Sequence, residues 1–143
     1  MPLRISRIPF LSSILLASLL LTGCSTIRSI FHPSDMTKTT IEDFDTFYDR
    51  FHADEAFQRS RVRWPLQGMT IEDGDEIPWT RDNFPIMKVR IYDIDTSEYK
   101  TEYKKEPSRF TQRVWLEDSE FSSEFHFEVI EGKWYLVYVL DES

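Results

Sequence analysis

Hydrophobic positions obey three different rules along the 143-residue chain. From Ile8 to Leu21 they run almost unbroken. From Ile41 to Phe51 they recur at helical spacing, with Ile41, Phe44, Phe47, Tyr48 and Phe51 on one stripe and Glu42, Asp43, Asp45 and Asp49 over much of the rest. Thr39 with Glu42 three residues on has the form of a capping box, so the spacing predicts an amphipathic helix starting there. Its aromatic face needs a broad apolar partner, and a sheet is the natural one. Asp54 is placed to cap a short second helix that gives way near Arg61.

Beyond that point the period changes to two. Val62–Leu66 reads as extended, because Pro65 disfavours the helical region at Trp64. Residues 67–85 hold Gly68, Gly74, Pro78 and Pro85 and read as loop, with at most a short strand or turn near Trp79. Met87–Ile94 alternates, with Val89 and Ile91 opposite Lys88, Arg90 and Tyr92, and predicts a strand. Phe110–Glu117 predicts another, with Phe110, Val114 and Leu116 on one face; the polar TSEYKTEYKKEPS between the two reads as a long hairpin connection. Phe121, Ser123, Phe125, Phe127 and Val129 then share a face against Ser122, Glu124, His126 and Glu128, a half-solvated strand. Glu131-Gly132-Lys133 makes a tight turn into Trp134–Leu140, apolar on both faces and so central in its sheet. The expected fold is α+β over residues 38–143, with an N-terminal amphipathic helix and a short second helix packed on a curved antiparallel sheet.

The unbroken apolar run is too short to span a bilayer, since its fourteen residues make about 21 Å of helix against a hydrocarbon core of about 30 Å. With Arg4 and Arg7 ahead and Thr22-Gly23 behind, residues 1–23 have the layout of a secretory signal. Leu21-Thr22-Gly23-Cys24 resembles the lipobox of bacterial lipoproteins. The resemblance implies that Cys24 becomes the first mature residue, its sulfur bearing diacylglycerol and its amino group a palmitate-like acyl chain. More than one chain is needed for stable attachment, and this arrangement supplies it. Residues 24–37, with Pro33, read as a lipid-anchored tether. Ser25, in place of an aspartate after the cysteine, points to the outer membrane of the cell envelope. Cys24 is the chain's only cysteine, so no intrachain disulfide exists and packing alone must hold the domain.

Charge narrows the partners. The whole chain has a net charge of −8, and losing residues 1–23 removes Arg4 and Arg7 and no acid, leaving −10. Nucleic acid is excluded as a partner, because a phosphate backbone must be met by a basic surface. Aromatic residues at 15% exclude disorder and furnish a ring-rich core.

The order of helix, short helix and strands closing on an "aromatic strand, Gly-Lys-Trp, apolar strand" hairpin resembles the cone-shaped fold of the nuclear-transport-factor-2-like (NTF2-like), ketosteroid-isomerase-like superfamily. More narrowly, FDTFYDRFHADEAFQRSRVRWPLQG (Phe44–Gly68) with EFHFEVIEGKWYLVYV (Glu124–Val139) resembles a family of bacterial lipoproteins of unknown function. The superfamily resemblance implies a sheet curved around the helices with an apolar pocket at the open end of the cone. Some members are enzymes with an acidic base in that pocket; others bind ligands or dimerise, so fold alone does not choose.

Candidate chemistry is sparse. Asp93, on the face of Val89 and Ile91, and Glu128 beside His126 are the carboxylates placed to serve as a general base, against the alternative of solvated positions. Of the three histidines, His32 falls in the tether, His52 at the end of the first helix and His126 on a strand. Asp93-Ile94-Asp95-Thr96-Ser97 begins like a calcium loop, but Glu98 and Lys104 occupy the positions that need glycine and glutamate. Glu72-Asp73-Gly74-Asp75-Glu76 lacks the spacing, so no metal is expected, and no cofactor. Arg59, Arg61 and Arg63 form a basic cluster that either grips an anion or pairs with nearby carboxylates. Trp64, Trp79, Trp115, Trp134, Tyr135 and Tyr138 are the rings to examine for a contact surface, and the pocket is expected among Trp64, Asp93, Trp115, His126, Trp134 and Tyr138. The sequence therefore points to a lipid-anchored envelope protein acting as a non-catalytic module for a small apolar or glycan ligand or an envelope protein. An isomerase- or dehydratase-like enzyme and a structural subunit of an outer-membrane assembly are the alternatives.

Overall fold

The computed structural model describes residues 40–142. The signal segment, Cys24, the tether with His32, and Thr39 lie outside the described residues.

Helix α1 (Phe44–Ala53) starts later than the capping box predicts, because Asp43 is its cap and accepts the Thr46 amide at 2.9 Å. Glu42 does not fold back onto the helix end; Arg61 and the Trp134 amide hold its carboxylate instead. Helix α2 (Glu55–Ser60) is capped as expected by Asp54, which accepts the Phe57 amide at 3.0 Å.

Six strands follow: β1 (Val62–Glu72), β2 (Asp75–Pro78), β3 (Lys100–Lys105), β4 (Arg109–Trp115), β5 (Ser122–Ile130) and β6 (Lys133–Glu142). They lie in the order β2-β1-β6-β5-β4-β3 in one curved, unclosed sheet. All neighbours are antiparallel except β1 and β6, which run parallel. That pair is set where α2 delivers the chain to the start of β6, with the Leu136 amide on the Arg61 carbonyl at 2.8 Å.

Three local expectations are corrected. The stretch 67–78 is no loop: β1 continues through it and turns into β2 at Asp73-Gly74, both with positive φ. Gly68, which looks like a breaker, is a strand residue at φ +90° whose added Cβ would sit 1.9 Å from the Val139 carbonyl oxygen. The polar connection 96–108 contains β3, an edge strand whose alternation is hidden because its residues are mostly exposed. The strand expected at 87–94 does not form. Residues 79–99 cross the domain irregularly, apart from one 3₁₀ turn, Ile91–Asp93, because side chains take their backbone donors: Gln58 receives the Met87 amide at 2.9 Å and the Tyr48 hydroxyl receives the Ile91 amide at 3.1 Å.

Phe44, Phe47, Tyr48 and Phe51 of α1 pack on the concave face against Phe110, Phe127, Trp134, Leu136 and Val139. Rings meet at close tilted and edge geometries, Phe44 on Phe110 at 4.5 Å and Phe51 on Phe127 at 5.3 Å between centroids. The register of β6 shifts against β5 so that Val137 has no opposite residue. This extra residue reverses the inward and outward sides of β6, which lets Leu136 and Val139 both reach the core.

Candidate functional site

Residues 87–95 form a strap over the end of the concave face that α1 and α2 leave open. Three side chains from the helices fasten it. Buried Gln58 donates from Nε2 to the Met87 carbonyl at 2.7 Å while its Oε1 takes the Met87 amide. Arg90 bridges Asp49 of α1 at 2.6 Å to Asp93 at 2.6 and 3.0 Å. Tyr48, whose ionisation burial pushes well above the ordinary tyrosine value, accepts from Ile91 and donates to Gln112 Oε1.

Beneath the strap lies a cavity of about 440 Å³. Met87, Val89, Ile94 and Tyr99 form one wall, and Gln112, Val114, Phe121, Ser123 and Phe125 the other. Exposed Lys88, Asp93 and Asp95 complete the lining. The surface is mostly apolar; its polar groups are Gln112, Ser123 and the charged Lys88, Asp93 and Asp95. With Oε1 engaged by Tyr48, the Gln112 amide nitrogen has no acceptor among the described residues. It is not sealed from solvent, so water or a ligand atom that accepts a hydrogen bond would satisfy it. Ser123, by contrast, already donates to Asp141.

Of the residues expected in the pocket, Asp93 alone lines this cavity. Its carboxylate accepts from Arg90, which holds it below the usual aspartate range. A general base in an apolar site needs the opposite shift. Trp134 is in the core, 2% exposed, with Nε1 donating to the Glu42 carbonyl at 2.9 Å. Trp115 lies by a separate polar recess, with the Arg113 guanidinium 5.4 Å from its ring centre. Trp64, His126 and Tyr138 line a recess on the outer face of the sheet, and Glu128 lies with them. Trp79 is buried and donates to the Val139 carbonyl at 2.8 Å, while Tyr135 lies beside Arg61. Asp95 caps its own turn by accepting from Ser97. Among the described residues no group of three or more His, Cys, Asp or Glu is arranged to hold a metal ion.

Arg59 pairs with Glu55 and Arg61 with Glu42, so two members of the basic cluster are already paired with carboxylates. His52 is buried, its Nδ1 2.9 Å from the Tyr48 carbonyl and its Nε2 unpartnered. The strap half of the cavity wall could not be read from sequence, since an alternating segment predicted a strand there. Val114, Phe121 and Phe125 did carry a signal: they fall on the apolar side of β4 and the β5 segment.

Residues 42–142 match a protein-family model described only as "-like". No curated protein matches the chain. Among solved structures, a protein from Bacteroides uniformis is 26% identical, with a TM-score of 0.55, 69% of this chain and 76% of that chain being covered. A cystatin-like protein from Bacteroides caccae is 25% identical at a TM-score of 0.54, with 71% and 76% covered. An NTF2-like protein from Bacteroides fragilis is 19% identical at 0.47, with 71% and 47% covered.

Proposed function

The chain belongs to the family whose model spans residues 42–142, and on that premise we propose that its domain is a non-catalytic binding module that takes a small apolar ligand under the strap. In this reading acylated Cys24 fastens it to the cell envelope, at the outer membrane. The observation that carries the reading is the Gln112 amide without an acceptor among the described residues, on the wall of a mostly apolar cavity of about 440 Å³. That volume falls in the range of small-molecule sites, about 300–1,000 Å³. One hydrogen-bond acceptor on an apolar body would complete the wall, whereas a many-hydroxyl glycan would leave most of its polar groups unmatched against Met87, Val114 and Phe125. The isomerase-like alternative has the Asp93–Arg90 pair against it. The purely structural alternative has the open cavity against it.

Binding of the neutral fluorophore N-phenyl-1-naphthylamine to the full chain tests the cavity. We expect a fluorescence gain that Val89→Asp weakens at least about tenfold, because the variant sets a carboxylate on the wall at a position already 57% exposed. No gain, or a gain that Val89→Asp leaves intact, sinks the reading. Labelling cells with a fatty-acid probe tests the anchor separately, with label expected on the wild type and lost in Cys24→Ala.

A further inference from the structure

The face of the sheet turned away from the helices carries a second recess, of about 430 Å³. Two neighbouring irregularities shape it. The extra Val137 breaks the register of β6, and β1 takes five steps from Val62 to Gln67 while β6 takes two, from Leu136 to Tyr138. The slack in β1 displaces Arg63, Trp64 and Pro65 from a regular ladder and sets them around the hollow.

Two arginines line it, Arg63 and Arg109. Arg63 is exposed and makes no ion pair among the described residues, unlike Arg59 and Arg61. Arg109 is only loosely paired, 3.7 Å from Glu128, and donates to His126 Nδ1 at 3.2 Å. Since Nδ1 accepts, the His126 proton sits on Nε2, which donates to Glu124 at 2.6 Å. The imidazole lies flat on Tyr138, 4.6 Å between centroids and 24° between planes. His126 is therefore braced from three sides and holds Arg109 in place without neutralising it. In a chain of net charge −8, two under-paired guanidiniums in one hollow mark a place for an anion.

The rest of the lining narrows the ligand. Tyr138 offers apolar ring surface beside the His126 it stacks on, while the Trp64 ring itself packs on Phe84, and Gln67 and Glu128 offer planar polar groups to hydroxyls. We infer that this recess binds a sugar acid or sugar phosphate, its oxyanion on Arg63 and Arg109 and its ring against the aromatic side. Guanidinium forks match carboxylate and phosphate alike, so the two ligand chemistries share one site. This inference is independent of the cavity under the strap.

Calorimetric titration of the full chain in detergent with glucuronate, glucose 6-phosphate, glucose and inorganic phosphate, and with anionic phosphatidylglycerol vesicles, tests it. We expect both sugar anions to bind, glucose and inorganic phosphate to bind at least about tenfold more weakly, and Arg63→Gln and Arg109→Gln each to weaken sugar-anion binding about tenfold. Val89→Asp should leave the sugar anions bound, which separates this site from the cavity. Absence of sugar-anion binding, glucose or phosphate binding as tightly, wild-type affinity in either arginine variant, or binding to vesicles alone would each overturn the inference.

Discussion

Arg61 grips Glu42 with two guanidinium nitrogens, at 2.8 and 3.0 Å, and spends a third contact on the Trp134 carbonyl at 3.0 Å. Glu42 answers by accepting the Trp134 amide at 3.1 Å. One ion pair thus ties the lead-in to α1, the end of α2 and the start of β6, and the Trp134 indole, donating to the Glu42 carbonyl, adds a second tie between the first and the last.

Breaking this pair by Glu42→Gln is expected to cost about 2 kcal/mol, the scale of a charge-assisted hydrogen bond lost with its partner left half-buried. Burial opposes ionisation of Glu42, but the Arg61 and Trp134 hydrogen bonds outweigh it and its pKa lies below the ordinary 4.5. The folded state therefore releases this proton more readily than the unfolded one. Its stabilisation is complete above pH 4.5 and is lost as pH falls through the lower folded value. Urea midpoints at neutral and acidic pH check both: Glu42→Gln should lower the first and reduce the acid sensitivity of the second.

His52 gives a second, separate pH dependence. Burial is the main cause that lowers its pKa from 6.5, and the nearby Arg90 charge adds to it, while Asp93 and Asp49 pull the other way. Protonation would put a proton on Nε2, where the structure offers no acceptor. As pH falls below 6.5 the unfolded chain takes up this proton first, so stability declines until the folded value is passed and then levels off. His52→Gln should flatten the urea midpoint between about pH 7 and about pH 5; an unchanged slope would assign the dependence to another group.

Amphipathic α1, the Asp54-capped α2 and the final hairpin were legible in the sequence because each is specified locally, by a period, a cap or a turn. α1 starts later than the Thr39–Glu42 pattern predicts because Asp43 caps it and Glu42 pairs with Arg61, which no local pattern reveals. The strap departs from the expected strand for the same kind of reason. Val89 and Ile91 alternate like strand residues, yet the amides of Met87 and Ile91 bond to Gln58 and Tyr48 side chains instead of a neighbouring strand. β3 carries no sequence signal because an exposed edge strand such as KTEYKK needs no apolar face. The all-apolar look of WYLVYVL reflects a bulge at Val137 as much as burial on both sides. Long-range side-chain partners and register shifts shape the candidate site, and single-sequence periodicity registers neither.

The Tyr48 hydroxyl is the strap's central fastening, and Tyr48→Phe removes it while keeping the ring. The Ile91 amide and Gln112 Oε1 would then lose their shared partner in a buried setting, at an expected cost of about 1–3 kcal/mol. Hydrogen exchange should localise the damage, with the Ile91 amide exchanging faster while Phe127 in β5 keeps its protection. Equal acceleration at both sites would mean that the hydroxyl supports the whole core and not the strap.

Gly68 pairs with Val139 where β1 runs beside β6. Its φ of +90° lies where L side chains are rarely found, and a Cβ there would meet the Val139 carbonyl oxygen at 1.9 Å and its carbon at 2.6 Å. Both obstacles are backbone, so no rotamer change relieves them. Val139 cannot retreat easily either, because its side chain is 2% exposed in the core and its carbonyl accepts the Trp79 indole at 2.8 Å. Gly68→Ala is therefore expected to destabilise by at least about 2 kcal/mol. Gly74, at φ +85° with open space where a Cβ would lie, is the matched control: Gly74→Ala carries the strain without the clash and should cost only about 1 kcal/mol. Thermal melts of the two variants decide the point, since equal losses would show that backbone strain alone, and not the approach of β1 to β6, governs position 68.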